Sequence, residues 1–291
     1  MSITMQVPKT LRFALFCIFC STAFAASNLA VKFDGSGGVV KSTGIDLDKV
    51  SFSWELWCNV SVFPGQNHGW NDARMIWAFM HAGPCSYHQC LLFGFNSTGH
   101  AVFGFILNDM WVGPFTDDVG KFVHWAGTYD RPSGRRYLYR NGEIVGTDIA
   151  SSPYWPHSKD LYIGQDNISG NKFMGAVDEI RMWRDVVLPQ ETIKRWMHAQ
   201  DLTEHEYYPN LVAHFQFNDG PGAETMDSSK NALMGQLVGL HPQKSWVRGF
   251  PEKERSISTE LVAPGVFLFI LLGMGLLFRR WRKVKILERK E

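Results

Sequence analysis

The segment FSWELWCNVSV, residues 52–62, alternates apolar side chains with mostly polar ones. Alternation with a period of two is typical of a β-strand that packs one face against a core. The apolar series is Phe52, Trp54, Leu56, Cys58, Val60 and Val62, and the other is Ser53, Glu55, Trp57, Asn59 and Ser61. We therefore expect the second series, with the asparagine of the sequon at Asn59, to face solvent.

Similar short apolar runs, bounded by Gly, Pro, Asn and Asp, recur through the middle of the chain. They predict further strands at 75–81, 91–95, 101–107, 122–129, 160–164, 175–183 and 211–217. Asn141-Gly142 separates two more runs and favours a hairpin with a type I′ turn. One helix is predicted from Pro189 to Ala199. Many short strands with a single short helix indicate an all-β fold, a two-sheet antiparallel sandwich.

The first 25 residues have the pattern of a secretory signal peptide. Lys9 and Arg12 give a basic start, an apolar run follows from Phe13 to Phe19, and Ala23-Phe24-Ala25 fits a small-x-small cleavage site. The alternative is a buried N-terminal helix. The apolar run is too short to cross a membrane, so we expect residues 1–25 to be removed.

A second apolar segment, LVAPGVFLFILLGMGLLF at residues 261–278, contains no charged residue. As a helix it would extend roughly 27 Å, close to the roughly 30 Å hydrocarbon core of a bilayer. A buried core helix is the alternative. The tail at 279–291 is basic, which favours a cytoplasmic location and contact with membrane lipid.

Together the two ends predict a single-pass type I membrane protein. Residues 26–250 would form the ectodomain and 251–260 a juxtamembrane linker. The expected location is the cell membrane with the N-terminal domain outside the cell, or otherwise the membrane of the endoplasmic reticulum or Golgi. The net charge of +1 conceals a mildly acidic middle beside the basic tail. An acidic domain argues against a nucleic-acid partner, which requires clustered basic residues.

Removal of the signal would leave three cysteines, Cys58, Cys85 and Cys90. Cys85 and Cys90 flank a short turn and are the predicted disulfide, since closely spaced cysteines of exported proteins usually oxidise. His81 and His88 beside them leave a zinc site as the alternative. Cys58 lies on the apolar face of its strand, so we expect a buried, inert thiol, with an intermolecular disulfide as the alternative.

Export would also make glycosylation sites of the Asn-x-Ser/Thr sequons. Three follow the signal peptide, at Asn59, Asn96 and Asn167. All three are predicted to carry glycans.

Several motifs occur in the same order as in a known family. Together they span roughly residues 30–246: VKFDG at 31–35, FSWELW at 52–57, FVHWAGTYD at 122–130, LYRNG at 138–142, LYIG at 161–164, FMGAVDEIRMW at 173–183, LPQE at 188–191 and LVAHFQFNDGPG at 211–222, followed by DSSKN at 227–231. In this series the chain resembles the laminin-G-like, concanavalin A-like jelly-roll domains, which are related to pentraxins.

The resemblance implies a jelly roll in which His124 is a packing residue. No cofactor is required, but the family often holds a structural calcium ion at a loop rim through carboxylates and backbone carbonyls. Asp34, Asp178 and Asp227 are the acidic residues within matching motifs and are the candidate ligands that the resemblance implies.

Some jelly rolls of this shape are glucanases, but the chain lacks their Glu-x-Asp-x-x-Glu motif. Adjacent residues of a strand point to opposite faces, so Asp178 and Glu179 are not expected to act together as a catalytic pair. The chain also lacks the Gly-x-Ser-x-Gly, His-Glu-x-x-His and phosphate-loop motifs. We therefore expect no enzymatic activity.

The predicted function is recognition or adhesion, with a glycan or protein ligand bound by rim loops or a sheet face. Aromatic rings suit both sugar stacking and protein contacts, and the candidates in loop-like segments are Trp70, Trp111, Tyr154 and Trp155. One alternative is a lectin-like cargo receptor of the secretory pathway. Another is a structural subunit of a surface assembly.

Overall fold

The structure, a computed structural model, describes residues 28–63, 74–79, 90–156, 158–165 and 172–251, with the backbone alone for 74–79. The predicted signal peptide and the apolar segment at 261–278 lie outside these ranges. The boundary between two compact units falls after Pro251. None of the helices in the described part of the chain has the length and apolar character that a membrane span requires.

The described residues form two antiparallel sheets. Sheet A has the order β10-β9-β8-β3-β12-β1-β16, and β13 also pairs with β12. Its strands are β1 (Leu29–Asp34), β3 (Phe52–Val60), β8 (Phe122–Asp130), β9 (Arg135–Arg140), β10 (Glu143–Ile149), β12 (Met174–Arg184), β13 (Leu211–Phe215) and β16 (Trp246–Arg248).

Sheet B has the order β14-β15-β2-β11-β4-β5-β6-β7. Its strands are β2 (Val39–Thr43), β4 (Arg74–Phe79), β5 (Leu91–Phe95), β6 (Ala101–Gly104), β7 (Asp109–Val112), β11 (Asp160–Ile163), β14 (Glu224–Met226) and β15 (Met234–Val238). With α1 (Gln190–Trp196), the only α-helix of the described residues, they make an all-β sandwich with one short helix. The predicted fold class is confirmed for this part of the chain.

The core between the sheets is largely aromatic. The ring of Trp54 lies 4.7 Å from that of Phe93 and 5.4 Å from that of Phe103. Gly127 pairs with Trp54 across β3 and β8, and a Cβ on it would lie 2.3 Å from the indole. The glycine in the middle of β8 therefore makes room for the tryptophan of the neighbouring strand. The predicted apolar face of 52–62 is buried as far as Val60, while Val62 is exposed.

The prediction that the second face of β3 is exposed to solvent is wrong. Ser53, Glu55 and Trp57 are 1%, 1% and 5% exposed, and Asn59 is half-buried. The outer face of sheet A is covered at β3, β8, β9 and β12 by residues 186–210, which we call the covering layer. The edge strand β10 is not covered, since Ile144 and Ile149 are 45% and 62% exposed. The layer contains α1 and buries apolar side chains such as Ile193 and Leu202 against β8, β9 and β12.

Several element bounds differ from the predictions. The helix ends at Trp196, and the strand predicted at 101–107 ends at Gly104, because Ile106 and Leu107 have φ angles of 51° and 58°. Backbone in the left-handed region cannot continue a strand. Six strands were not predicted from the pattern: β1, β2, β7, β14, β15 and β16.

Candidate functional site

The outer face of sheet A carries a cluster of polar and charged side chains. Glu55, His124, Glu179, Arg181 and His214 come from four neighbouring strands, and each is 2% exposed or less. Buried charges are stable only when they are paired and hydrogen-bonded. The contacts of this cluster therefore determine what it does.

Arg181 joins sheet A to the covering layer. Its guanidinium donates to Oε2 of Glu179 at 2.7 and 3.1 Å and lies 3.6 Å from Oε2 of Glu55. It also donates to the backbone carbonyls of Trp196, at 3.0 Å, and of Ala199. One buried cation thus compensates two carboxylates and holds the end of α1 in place.

Two histidines complete the cluster. Nε2 of His124 lies 3.0 Å from Oε2 of Glu55, and Nε2 of His214 lies 2.7 Å from Oε2 of Glu179. Burial lowers the pKa of His124. Burial alone would raise the pKa of Glu179, but Arg181 and His214 outweigh it and the net shift is downward. Because the cluster is closed to solvent and its charges pair with one another, it connects the covering layer to sheet A and offers no accessible ligand site.

A β-bulge places Asp178 and Glu179 on this same outer face. The register of β12 with β3 shifts between Asp178 and Arg181, and Glu179 has a φ angle of 52°. Asp178 accepts the backbone N–H groups of Glu179 and Phe250, while Glu179 contacts Arg181 and His214. The expectation that the two carboxylates point to opposite faces is wrong, because a bulge inserts an extra residue into the alternation.

The outer face of sheet B differs, because it holds a solvent-accessible cleft of about 450 Å³. Clefts of roughly 300–1,000 Å³ are the size that small ligands occupy. Three adjacent strands, β15, β2 and β11, form its floor. Its lining residues are Lys41, Ser42, Thr43, Asp160, Met234 and Gln236.

The polar groups of the cleft hold one another in place. Oγ1 of Thr43 donates to Oδ1 of Asp160 at 2.5 Å, and Nζ of Lys41 lies 3.7 Å from Oδ2. The Lys41 ammonium also lies 5.2 Å from the centre of the Tyr162 ring. Hydrogen bonding to Tyr162, and then the proximity of Asp160, raises the pKa of Lys41. The cleft therefore presents the Lys41 amino group and the Asp160 carboxyl group side by side.

Residues 34–194 match the family model described as the concanavalin A-like lectin/glucanases superfamily. The chain belongs to this superfamily. The predicted family is thereby confirmed. Comparison with curated protein sequences finds no match.

Several solved structures resemble the chain at low sequence identity. A putative carbohydrate-binding protein from Bacteroides ovatus is 18% identical with a TM-score of 0.58, over 78% of this chain and 62% of that one. This chain thus spans less than two thirds of that protein. A heptameric SAP-like pentraxin from Limulus polyphemus is 15% identical with a TM-score of 0.44, over 59% of this chain and 82% of that one.

The predicted ligand-contact residues of this concanavalin A-like domain lie in different places. Trp111 on β7 and Trp155 in the loop before β11 are 44% and 54% exposed, and Lys49 lies over the Trp155 ring at 5.6 Å. Tyr154 is 2% exposed and packs against Phe52 and Phe105 in the core, so its prediction as a contact residue is wrong. Trp70 lies outside the described residues.

The three predicted calcium ligands are not brought together. Asp34 is exposed and caps the turn at Ser36, and both oxygens of Asp178 accept backbone N–H groups. Asp227 accepts the N–H groups of His214, Ser229 and Leu233 and the Ser229 hydroxyl. Over the part of the chain that the structure describes, no group of three or more His, Cys, Asp or Glu could hold a metal ion. These residues do not fit a shared calcium site, and calcium binding elsewhere stays a prediction.

The predicted modification sites are described only in part. Asn59 and Asn96 are half-buried, and Asn167 and Cys85 lie outside the described residues. Cys90 is disulfide-bonded. Cys58 is free and buried as predicted, and burial raises the pKa of its thiol well above the ordinary value.

Sequence reasoning missed the cleft because β2 and β15 were not predicted as strands. No strict period-two alternation marks β2, because Lys41, Ser42 and Thr43 are three consecutive polar residues. Lys41 pairs with Gln236 of β15 across the sheet. Polar side chains that point away from the core on the central strands of a sheet indicate a surface exposed to solvent.

Proposed function

We propose that the protein is a single-pass membrane glycoprotein whose outward-facing domain recognises glycans without transforming them. The observation that carries this proposal is the difference between the two outer faces. The covering layer buries the outer face of the central strands of sheet A, whereas the outer face of sheet B has a cleft open to solvent that Lys41, Asp160 and Gln236 line. Recognition requires an accessible concave surface with polar groups already positioned.

Two observations support a glycan as the ligand class. The superfamily is named for lectins and glucanases, and the solved structure with a TM-score of 0.58 is described as a putative carbohydrate-binding protein. Lys41, Thr43, Asp160 and Gln236 bring hydrogen-bond donors and acceptors into one cleft. Sugar hydroxyls require both kinds of partner.

The proposal of a non-catalytic role rests on where the carboxylates lie. Glycoside hydrolysis requires two carboxyl groups flanking an accessible sugar bond. Asp178, Glu179 and Glu55 are each 1% exposed or less, so a polysaccharide cannot reach them. The cleft itself is lined by one carboxylate, that of Asp160.

A glycan array with the full-length protein in detergent micelles tests this function. We expect reproducible binding to a subset of glycans, and a parallel array with a chelator tests whether calcium takes part. If no glycan is bound on either array, glycan recognition is contradicted and a protein ligand is favoured. Surface staining of intact cells that express the full chain tests the proposed location in the cell membrane. Staining only after permeabilisation would place the protein within the secretory pathway.

A further inference from the structure

The charges around the cleft restrict the kind of sugar that it can bind. Lys41 is its only cation among the described lining residues, and Asp160 already faces that cation. Exposed Glu224 of β14 pairs directly with Gln236 of β15 and adds a second anion to this side of sheet B. A ligand with a carboxylate, sulfate or phosphate group would meet two anions and one cation that is already paired.

The geometry leaves hydrogen-bonding capacity for a neutral ligand. The 3.7 Å separation of Nζ of Lys41 from Oδ2 of Asp160 exceeds a normal hydrogen-bond length. Oδ2 can therefore accept a hydroxyl, while the Lys41 ammonium can donate to the neighbouring one. The side chains of Lys41 and Asp160 are 41% and 29% exposed, so both atoms are within reach from solvent.

Rigid elements hold these groups. Lys41, Asp160 and Gln236 lie on β2, β11 and β15, adjacent strands in the interior of sheet B, and Thr43 fixes the Asp160 carboxylate. Side chains on such strands lose little freedom on binding, which favours affinity. Met234, 45% exposed at the edge of the cleft, offers an apolar contact for the C–H face of a ring.

From this geometry we infer that the cleft is the sugar-binding site and that its ligand is a neutral, polyhydroxylated ring. Asp160 accepts one of two adjacent hydroxyls, Lys41 and Gln236 donate to their oxygens, and Met234 packs against the ring. This inference rests on the proposed glycan recognition. It assigns the site to sheet B and names the class of sugar.

The experiment measures binding of neutral oligosaccharides, and of sialylated or sulfated forms of the same chains, to the full-length protein in micelles. Neutral forms are expected to bind more tightly. Asp160→Asn and Lys41→Ala should each weaken binding about tenfold or more, because each removes a hydrogen bond to a charged group. Asp185→Asn and Lys194→Ala are the matched controls. They alter an exposed aspartate and a lysine whose ion pairs include no lining residue of the cleft and should leave binding unchanged.

Three outcomes would overturn the inference. If a glycan binds but Asp160→Asn and Lys41→Ala bind it as tightly as the wild type, the site lies elsewhere and glycan recognition survives. Loss of binding in Trp155→Ala alone would place that site on the rim. Tighter binding of the acidic forms would contradict the neutral class. If no oligosaccharide binds at all, the proposed function fails together with the inference.

Discussion

Arg181 is the residue on which the buried charges of sheet A depend. It contacts both Glu179 and Glu55 and is 1% exposed. Replacing one partner of a buried ion pair leaves the other uncompensated, which typically costs about 3–5 kcal/mol. Arg181→Met should therefore lower the free energy of unfolding by about that amount in denaturant titrations of the full-length protein. Arg184→Met is the control, since its side chain is 31% exposed and surface pairs contribute about 1 kcal/mol or less. Equal losses would contradict the role of Arg181.

His124 makes stability depend on pH in a defined direction. The unfolded chain takes up its proton as the pH falls through about 6.5, but burial lowers the pKa in the folded state. At pH values between the pKa of His124 in the folded protein and its higher pKa in the unfolded chain, the unfolded state binds more protons. The contribution of His124 to stability is therefore lost as the pH falls. The free energy of unfolding should therefore be lower at about pH 5.5 than at about pH 7.5.

Two variants test whether His124 causes this difference in the free energy of unfolding between the two pH values. His124→Gln removes the titrating group and should reduce the loss of stability between the two pH values. His241→Gln alters an exposed histidine and should keep the wild-type loss. If His124→Gln also keeps the full loss, the pH dependence comes from other groups.

At the scale of elements, α1 and the rest of the covering layer cover the outer face of the central strands of sheet A. Ile193 of α1 is fully buried in the cluster with Trp183 and Leu188. Truncation of such a side chain to alanine leaves a cavity and costs about 2–5 kcal/mol. Ile193→Ala should lower the unfolding midpoint in urea, whereas Lys194→Ala on the adjacent, partly exposed position should leave it nearly unchanged. A midpoint unchanged in both variants would show that the layer does not stabilise the sheet.

The same elements show how far the sequence predicts the structure. Period-two alternation predicted β3, β5, β8 and β12, and for β3 also the inner face, because burial between the sheets imposes that pattern. It could not predict that the outer face of β3 is covered by residues more than a hundred positions later. Nor could it detect the bulge at Glu179, since the side chains of both faces there include apolar and polar types.

The cleft was missed for a related reason. β2 (VVKST) and β15 (MGQLV) do not alternate strictly between apolar and polar residues, and β14 has only 3 residues, so the period-two pattern does not mark them as strands. Lys41 and Gln236 become neighbours only through the pairing of strands that are far apart in sequence. Trp111 and Trp155 are exposed as predicted, although Trp111 lies on β7 and not in a loop. Tyr154, next to Trp155, is buried, so a loop-like sequence does not by itself give the exposure of an aromatic ring.

For the whole molecule, membrane attachment through residues 261–278 remains a prediction that a truncation can test. The boundary between compact units after Pro251 places the sandwich on one side of a cut at residue 255. The full chain should remain in the membrane pellet after alkaline extraction, whereas the chain ending at residue 255 should appear in the medium. Full-length protein in the soluble fraction would contradict the anchor.

Glycosylation of the secreted form tests the orientation that this topology requires. Only a domain that entered the secretory pathway meets the enzymes that modify Asn59, Asn96 and Asn167. Endoglycosidase should therefore increase the electrophoretic mobility of the secreted form. Each Asn→Gln change at an occupied site should reduce this mobility shift by the contribution of one glycan. Protease added to intact cells should digest the domain of the anchored chain and leave the tail at 279–291 protected. A domain that resists external protease on intact cells and shows no shift with endoglycosidase would not face the outside, and the glycan ligands proposed for the cleft would then be out of its reach.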